Sequence, residues 1–255
     1  MTHLLRSPSQ LVNPLARQRF IGFGTAAGGG SLVLPPVLGP DIWLDANRES
    51  FADGDAVAQF TDWSGNGNHF TSSGTARPTF KTNRINGRPS VLADGVDDGL
   101  ILSSFASKSA WTVMFVGCLA SYTSGAPCII AVDDYAPDGV YYLFQQTTLS
   151  VANVNSNAGA INLVTSTVGT AKAFALTGNS TTGTIRASDN TNGSTSANYS
   201  KALANMRLFR RGDGQYANYE ICEFFFYPSV LSSADRNTIW TYFNTRYGTA
   251  IPATP

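Results

Sequence analysis

Ile221-Cys222-Glu223-Phe224-Phe225-Phe226-Tyr227 packs three phenylalanines, a tyrosine and an isoleucine into seven residues that carry a single charge. A short run this dense in aromatic and β-branched side chains reads as a buried strand. Working back toward the N-terminus, Met206-Arg207-Leu208-Phe209, Ala173-Phe174-Ala175-Leu176, Tyr141-Tyr142-Leu143-Phe144, Cys128-Ile129-Ile130-Ala131-Val132 and Trp111-Thr112-Val113-Met114-Phe115-Val116 read the same way. Ile42-Trp43-Leu44 and Val57-Ala58-Gln59-Phe60 are shorter apolar runs. Between the runs lie Asn66-Gly67, Asn86-Gly87 and Asp94-Gly95, pairs that favour tight turns because Asn, Asp and Gly tolerate positive φ. Strands at this spacing, separated by such turns, predict an all-β fold, a two-sheet antiparallel sandwich. Its expected core contains Trp43, Phe60, Trp111, Val113, Phe115, Ile130, Phe174, Leu208, Phe224, Phe226 and Trp240. The polar stretch 177–200 is expected to be a hairpin or loop region, not a second domain.

Composition points the same way. The 255 residues include 25 Ser, 25 Thr, 18 Asn and 24 Gly, but three Glu and four Lys. Glu and Lys dress helix surfaces, whereas Thr suits strands and Asn, Ser and Gly suit turns. One helix is predicted, downstream of the opening strand. Ser232 or Ser233 caps it, and Ser232 with Asp235 approximates a capping box. Ile239, Trp240, Tyr242, Phe243 and Tyr247 share one face, and Gly248 stops it.

Basic and acidic residues balance at 17 each and charged residues make up 13% of the chain, which argues against a nucleic-acid partner. A hydrophobic content of 43% is enough for a sizeable core. No apolar stretch reaches the ~20 residues of a membrane span. The first eight residues hold no apolar core of signal-peptide length, so synthesis and folding in a reducing cytosol are expected. Cys118, Cys128 and Cys222 are odd in number and loosely spaced, and each sits in an apolar run. They are expected to be buried free thiols, not a disulfide framework or a zinc site.

Residues 1–38 differ from the rest. Pro8 and Pro14 break any helix, glycines recur at 22, 24 and 28–30, and Pro35-Pro36 stiffens the end. The segment carries +3 from Arg6, Arg17 and Arg19 with no acid, leaving −3 for the remainder. Leu4, Leu5, Leu11, Val12, Leu15, Phe20 and Ile21 are apolar without a sustained period. The expected organisation is an extended partner-docking arm over 1–38 and a sandwich domain over 39–255. The candidate docking residues are Leu4, Leu5, Arg6, Leu11, Val12, Leu15, Arg17, Arg19 and Phe20. A disordered leader, or a strand folded onto its own body, is the alternative.

Several motifs occur in a fixed order: Ile42-Trp43-Leu44-Asp45-Ala46, Asp53-Gly54-Asp55, Trp63-Ser64-Gly65-Asn66-Gly67-Asn68, Arg77-Pro78-Thr79-Phe80, Ile85-Asn86-Gly87-Arg88-Pro89 and Asp94-Gly95-Val96-Asp97-Asp98. The strand at 219–227 and the helix at 231–248 follow. Over roughly 41–250 the chain resembles the LamG-type, concanavalin A-like lectin/glucanase jelly-roll superfamily, in the form found in bacterial surface proteins and tailed-phage structural proteins, which implies that the domain over 39–255 is a two-sheet antiparallel jelly-roll sandwich. That family often has an aromatic or apolar residue before its Asp-Gly turn, where this chain has Ala93.

Glucanases of the superfamily carry two catalytic Glu on one strand, two or four residues apart, and retaining hydrolysis needs carboxyls ~5–5.5 Å apart. Here the close pair is Glu220 and Glu223, whose spacing of three predicts opposite faces of a strand, and Glu49 stands alone. No catalytic residue is therefore assigned, and the protein is expected not to be an enzyme. His3 and His69 give no triad or metal set, and His69 is expected to pack at the sandwich edge. Asp94, Asp97 and Asp98 offer oxygens suited to Ca2+, which the resemblance makes relevant; the alternative is a turn whose carboxylates cap backbone N–H groups. No other cofactor or metal is expected. Asp133, Asp134, Tyr135 and Asp138 form an acidic loop with an aromatic, suited to sugar binding, or else a solvated hairpin tip. Arg207, Arg210 and Arg211 bracket a strand end before Gly212-Asp213-Gly214.

Together these features predict a non-enzymatic virion structural protein of a tailed bacteriophage: a capsid decoration, head-fibre or tail-fibre component. It would attach through its arm to capsid, portal or tail protein, form a homo-oligomer, and carry a lectin-like body for host-surface glycan. It would be assembled in the host cytoplasm and reside in the virion. The alternative is a carbohydrate-binding module of a bacterial surface or secreted protein.

Overall fold

A computed structural model describes residues 34–121, 128–132, 140–145, 149–153, 161–162, 168–181, 184–189, 195–198, 205–212 and 214–249. In chain order the strands are β1 (Ile42–Asp45), β2 (Gln59–Phe60), β3 (Phe70–Thr71), β4 (Thr79–Ile85), β5 (Arg88–Leu92), β6 (Leu100–Leu102), β7 (Ala110–Leu119) and β8 (Cys128–Val132). Then come β9 (Val140–Gln145), β10 (Leu149–Asn153), β11 (Ile161–Asn162), β12 (Ala171–Asn179), β13 (Thr184–Asp189), β14 (Thr195–Asn198), β15 (Met206–Leu208) and β16 (Tyr219–Tyr227), followed by one helix, α1 (Ser233–Tyr247).

The strands form two eight-stranded antiparallel sheets. The first runs β14-β13-β12-β7-β16-β5-β4, with β1 also on β16; the second runs β11-β10-β9-β8-β15-β6-β3-β2. The core lies between them. Phe115, Phe174, Phe224 and Phe226 of the first sheet meet Phe60, Phe70, Leu100, Ile130 and Leu208 of the second. Phe115 stacks on Phe174 at 5.0 Å, and Phe70 meets Phe224 edge-on at 6.2 Å across the sandwich. Each such side chain contributes ~1.5–3 kcal/mol by leaving water. All eleven expected core residues are buried. Trp43 and Trp240 belong to a second cluster, on the outer face of the first sheet under α1, with Phe225, Tyr227, Phe243 and Tyr247.

Turn chemistry fixes the register. β4 and β5 join through Asn86 (φ 51°) and Gly87 (φ 73°), both in the left-handed region that a tight hairpin requires, which places Ile85 opposite Arg88. The helix is capped as its sequence predicts. Ser232 accepts from the Asp235 N–H at 3.1 Å and donates to the Asp235 carboxylate at 2.7 Å, and Gly248 ends it at φ 67°.

The polar stretch 177–200 carries the hairpin pairing expected of it: β12 pairs with β13 and β13 with β14, extending the first sheet. Two expectations change. Residues 34–38, placed in the arm from sequence, belong to the compact unit Leu34–Pro255; Val37 packs on the helix-side cluster and its carbonyl accepts from the Tyr227 hydroxyl at 2.9 Å. Glu220 and Glu223 do not lie on opposite faces. On β16, Ile221 pairs with Gly117 and Glu223 with Val116, so Cys222 is an extra, bulged residue. The bulge resets the alternation and turns both carboxylates to the helix side. It also divides the far edge of β16, where β5 takes Glu220 and Ile221 and β1 takes Glu223 to Phe226.

Candidate functional site

The sugar-loop candidates Asp133, Asp134, Tyr135 and Asp138 lie outside the described residues, as do the docking candidates Leu4, Leu5, Arg6, Leu11, Val12, Leu15, Arg17, Arg19 and Phe20. Three places among the described residues bear on function.

The first is the acidic turn. Asp94, Asp97 and Asp98 each bring one oxygen within 4.8 Å of the others. Asp94 Oδ1 accepts the Val96 N–H at 2.8 Å, Asp98 Oδ2 accepts the Asp94 N–H at 2.9 Å, and Thr75 Oγ1 donates to Asp97 Oδ2 at 2.8 Å. Burial raises the Asp98 carboxyl to about 6, against one backbone bond that lowers it. This is the capping pattern of an Asx turn. Ca2+ takes 6–8 oxygens, so three carboxylates already bonded in this way are not by themselves a fitted shell.

The second is the carboxylate pair of β16. Glu220 accepts from the Arg84 Nε at 3.0 Å and the Ser90 hydroxyl at 2.6 Å. It walls a half-open groove of about 410 Å3 that Arg84, Cys118 and Tyr247 also line. Glu223 is fully buried beneath α1. Its carboxylate accepts from the Trp43 indole at 2.9 Å, the Tyr247 hydroxyl at 2.7 Å and the Tyr242 hydroxyl at 3.0 Å. Asp45 lies directly across the ladder, and Arg246 of α1 reaches both acids, at 2.9 Å and 3.5 Å. Burial, then the Asp45 charge, raises Glu223 to about 7, while Arg246 and the Tyr247 and Trp43 bonds lower it. Raised acids can serve catalysis, but here every oxygen of Glu223 faces an internal donor. The arrangement fastens a helix to a sheet.

The third place was missed in the sequence. Trp63 is 37% exposed, the one exposed aromatic among the described side chains. Its N–H donates to the Trp43 carbonyl at 2.7 Å and its indole hydrogen-bonds Glu49. The Arg48 guanidinium sits 4.1 Å from the Trp43 ring centre and 5.4 Å from that of Trp63. Glu49 also accepts from the Thr61 N–H at 2.8 Å and hydroxyl at 3.2 Å; burial raises its pKa and these bonds oppose the rise. Asp62 holds the turn that follows, accepting from the N–H groups of Trp43, Ser64 and Asn68, each at 2.9 Å. Ser64, Asn66 and Asn68 all donate to the Asp41 carbonyl. His69, half-buried just before β3, accepts from the Asp62 N–H at 3.0 Å.

The remaining expectations are simply placed. Cys118, Cys128 and Cys222 are buried free thiols, with burial raising Cys118 to about 12. Arg210 and Tyr216 form an isolated antiparallel bridge, and the Arg211 N–H donates to the Gln215 carbonyl at 2.8 Å. No described helix is long and apolar enough to cross a membrane.

No family model and no curated protein sequence matches the chain. Solved structures do. A GH54 α-L-arabinofuranosidase aligns at TM-score 0.58 and 13% identity, over 84% of this chain and 60% of the enzyme. A Trypanosoma rangeli sialidase aligns at 0.58 and 10%, over 82% and 33%. The binding domain of botulinum neurotoxin serotype D aligns at 0.56 and 14%, over 80% and 50%. The chain thus spans 60% or less of these relatives' own length, and at such identity the likeness establishes the β-sandwich fold alone.

Proposed function

We propose that this chain is a non-enzymatic structural protein of a tailed-phage virion, with a LamG-type, lectin-like body that binds host glycans. One observation carries the non-enzymatic reading: the close carboxylates of β16 are both spent on internal partners, Glu220 on Arg84 and Ser90, Glu223 on Trp43, Tyr242, Tyr247 and Arg246. The shared sandwich supports glycan binding, since the similar structures include enzymes solved with arabinofuranosyl-xylobiose and with sialic acid. The basic, apolar segment ahead of the body supports attachment to an assembly. Mass spectrometry of purified virions tests the setting. The full chain should be present in them, whereas a chain lacking residues 1–33 should melt as the full chain does and be missing. Incorporation of the shortened chain at full occupancy would contradict the arm's role.

A further inference from the structure

We propose that Trp63 is the stacking platform of a binding site for a neutral pyranose, with Arg48 and Glu49 at its rim. The proposal rests on the glycan-binding reading and gives it a place and a ligand class. An indole face presents a large apolar surface to the C–H face of a sugar ring, and Trp63 keeps 37% of its surface in water. The Trp63 backbone is tied to the Trp43 carbonyl and its ring is held by Glu49 and Arg48, so a ligand would not have to order it. The turn beyond it, 64–68, is tied back to Asp62 and Asp41, which fixes the shape beside the ring.

The rim groups decide the class. A half-buried carboxylate and a guanidinium beside an aromatic face suit hydroxyls that both donate and accept. An anionic sugar would meet the Glu49 carboxylate, and the Arg48 charge is already answered by Asp45 at 3.7 Å. A neutral ring meets neither obstacle.

Calorimetric titration of the full chain tests this. The probes are maltohexaose, laminarihexaose, cellohexaose and xylohexaose, with hexagalacturonate as the anionic counterpart. At least one neutral probe should bind more tightly than hexagalacturonate. Trp63→Ala should weaken it tenfold or more at an unchanged melting temperature, and Trp63→Phe should retain most of the affinity. Should Trp63→Ala fail to fold, Trp63→Leu, which keeps apolar bulk without the ring, should show the same loss. Equal binding by wild type and these variants would overturn the site and leave the glycan reading standing. Preference for hexagalacturonate would overturn the neutral class. Binding of none of the five would overturn the proposal, and a glycan array with no positives would overturn the broader reading as well.

Discussion

Gly117 shows how one residue admits the bulge that shapes the molecule. A Cβ placed on it would lie 2.4 Å from the Tyr219 ring and 2.5 Å from the Glu220 carbonyl oxygen. The second contact is backbone and cannot swing aside, so Gly117→Ala should cost about 2–3 kcal/mol by overpacking, read as a lower denaturation midpoint at unchanged slope. Nothing in the sequence around Cys222 announces the extra residue, because strand alternation is legible only when the pairing partner is known. Glu223 carries the residue-scale pH dependence. Its carboxyl rises from an ordinary 4.5 to about 7. The folded state therefore keeps a proton that the unfolded chain releases, and stability is full below about pH 4.5 and is lost as the pH climbs through 7. Asp98, raised to about 6, acts in the same direction. Thermal melts from pH 5 to pH 8 should fall with pH by an amount equivalent to about 2 kcal/mol, and Glu223→Gln should flatten most of that slope. A slope that the variant leaves intact would assign it to other groups.

Helix α1 is the element whose sequence was most readable and whose attachment was least so. Caps and apolar period are local signals, and Ile239, Trp240, Phe243 and Tyr247 are buried as their spacing predicts. Arg246 gives no such signal, since its partners Asp45 and Glu223 are remote in sequence and meet only through the β1–β16 ladder. One cation serving two buried acids makes the helix a clasp across that ladder. Arg246→Ala leaves both carboxylates buried beside each other and should cost about 3–5 kcal/mol, with Arg246→Lys intermediate for want of the planar fork. Chemical denaturation of the two variants measures both, and an alanine variant as stable as wild type would remove the clasp from this account.

At the scale of the whole molecule, the two sheets and their core follow from short apolar runs and Asn-Gly turns, which is why all eleven expected core residues are buried. Function was less legible. Trp63 sits in a motif that reads as turn chemistry, and its exposure depends on where Trp43, Arg48 and Glu49 fall in space. The central claim is that the sandwich binds glycan without cleaving it. The most direct test incubates the full chain with the glycans it retains on an array and then measures both binding and new reducing ends. The account predicts saturable binding with every oligosaccharide recovered intact. Reducing ends that accumulate with time and protein concentration, or an array with no bound glycan, would contradict it.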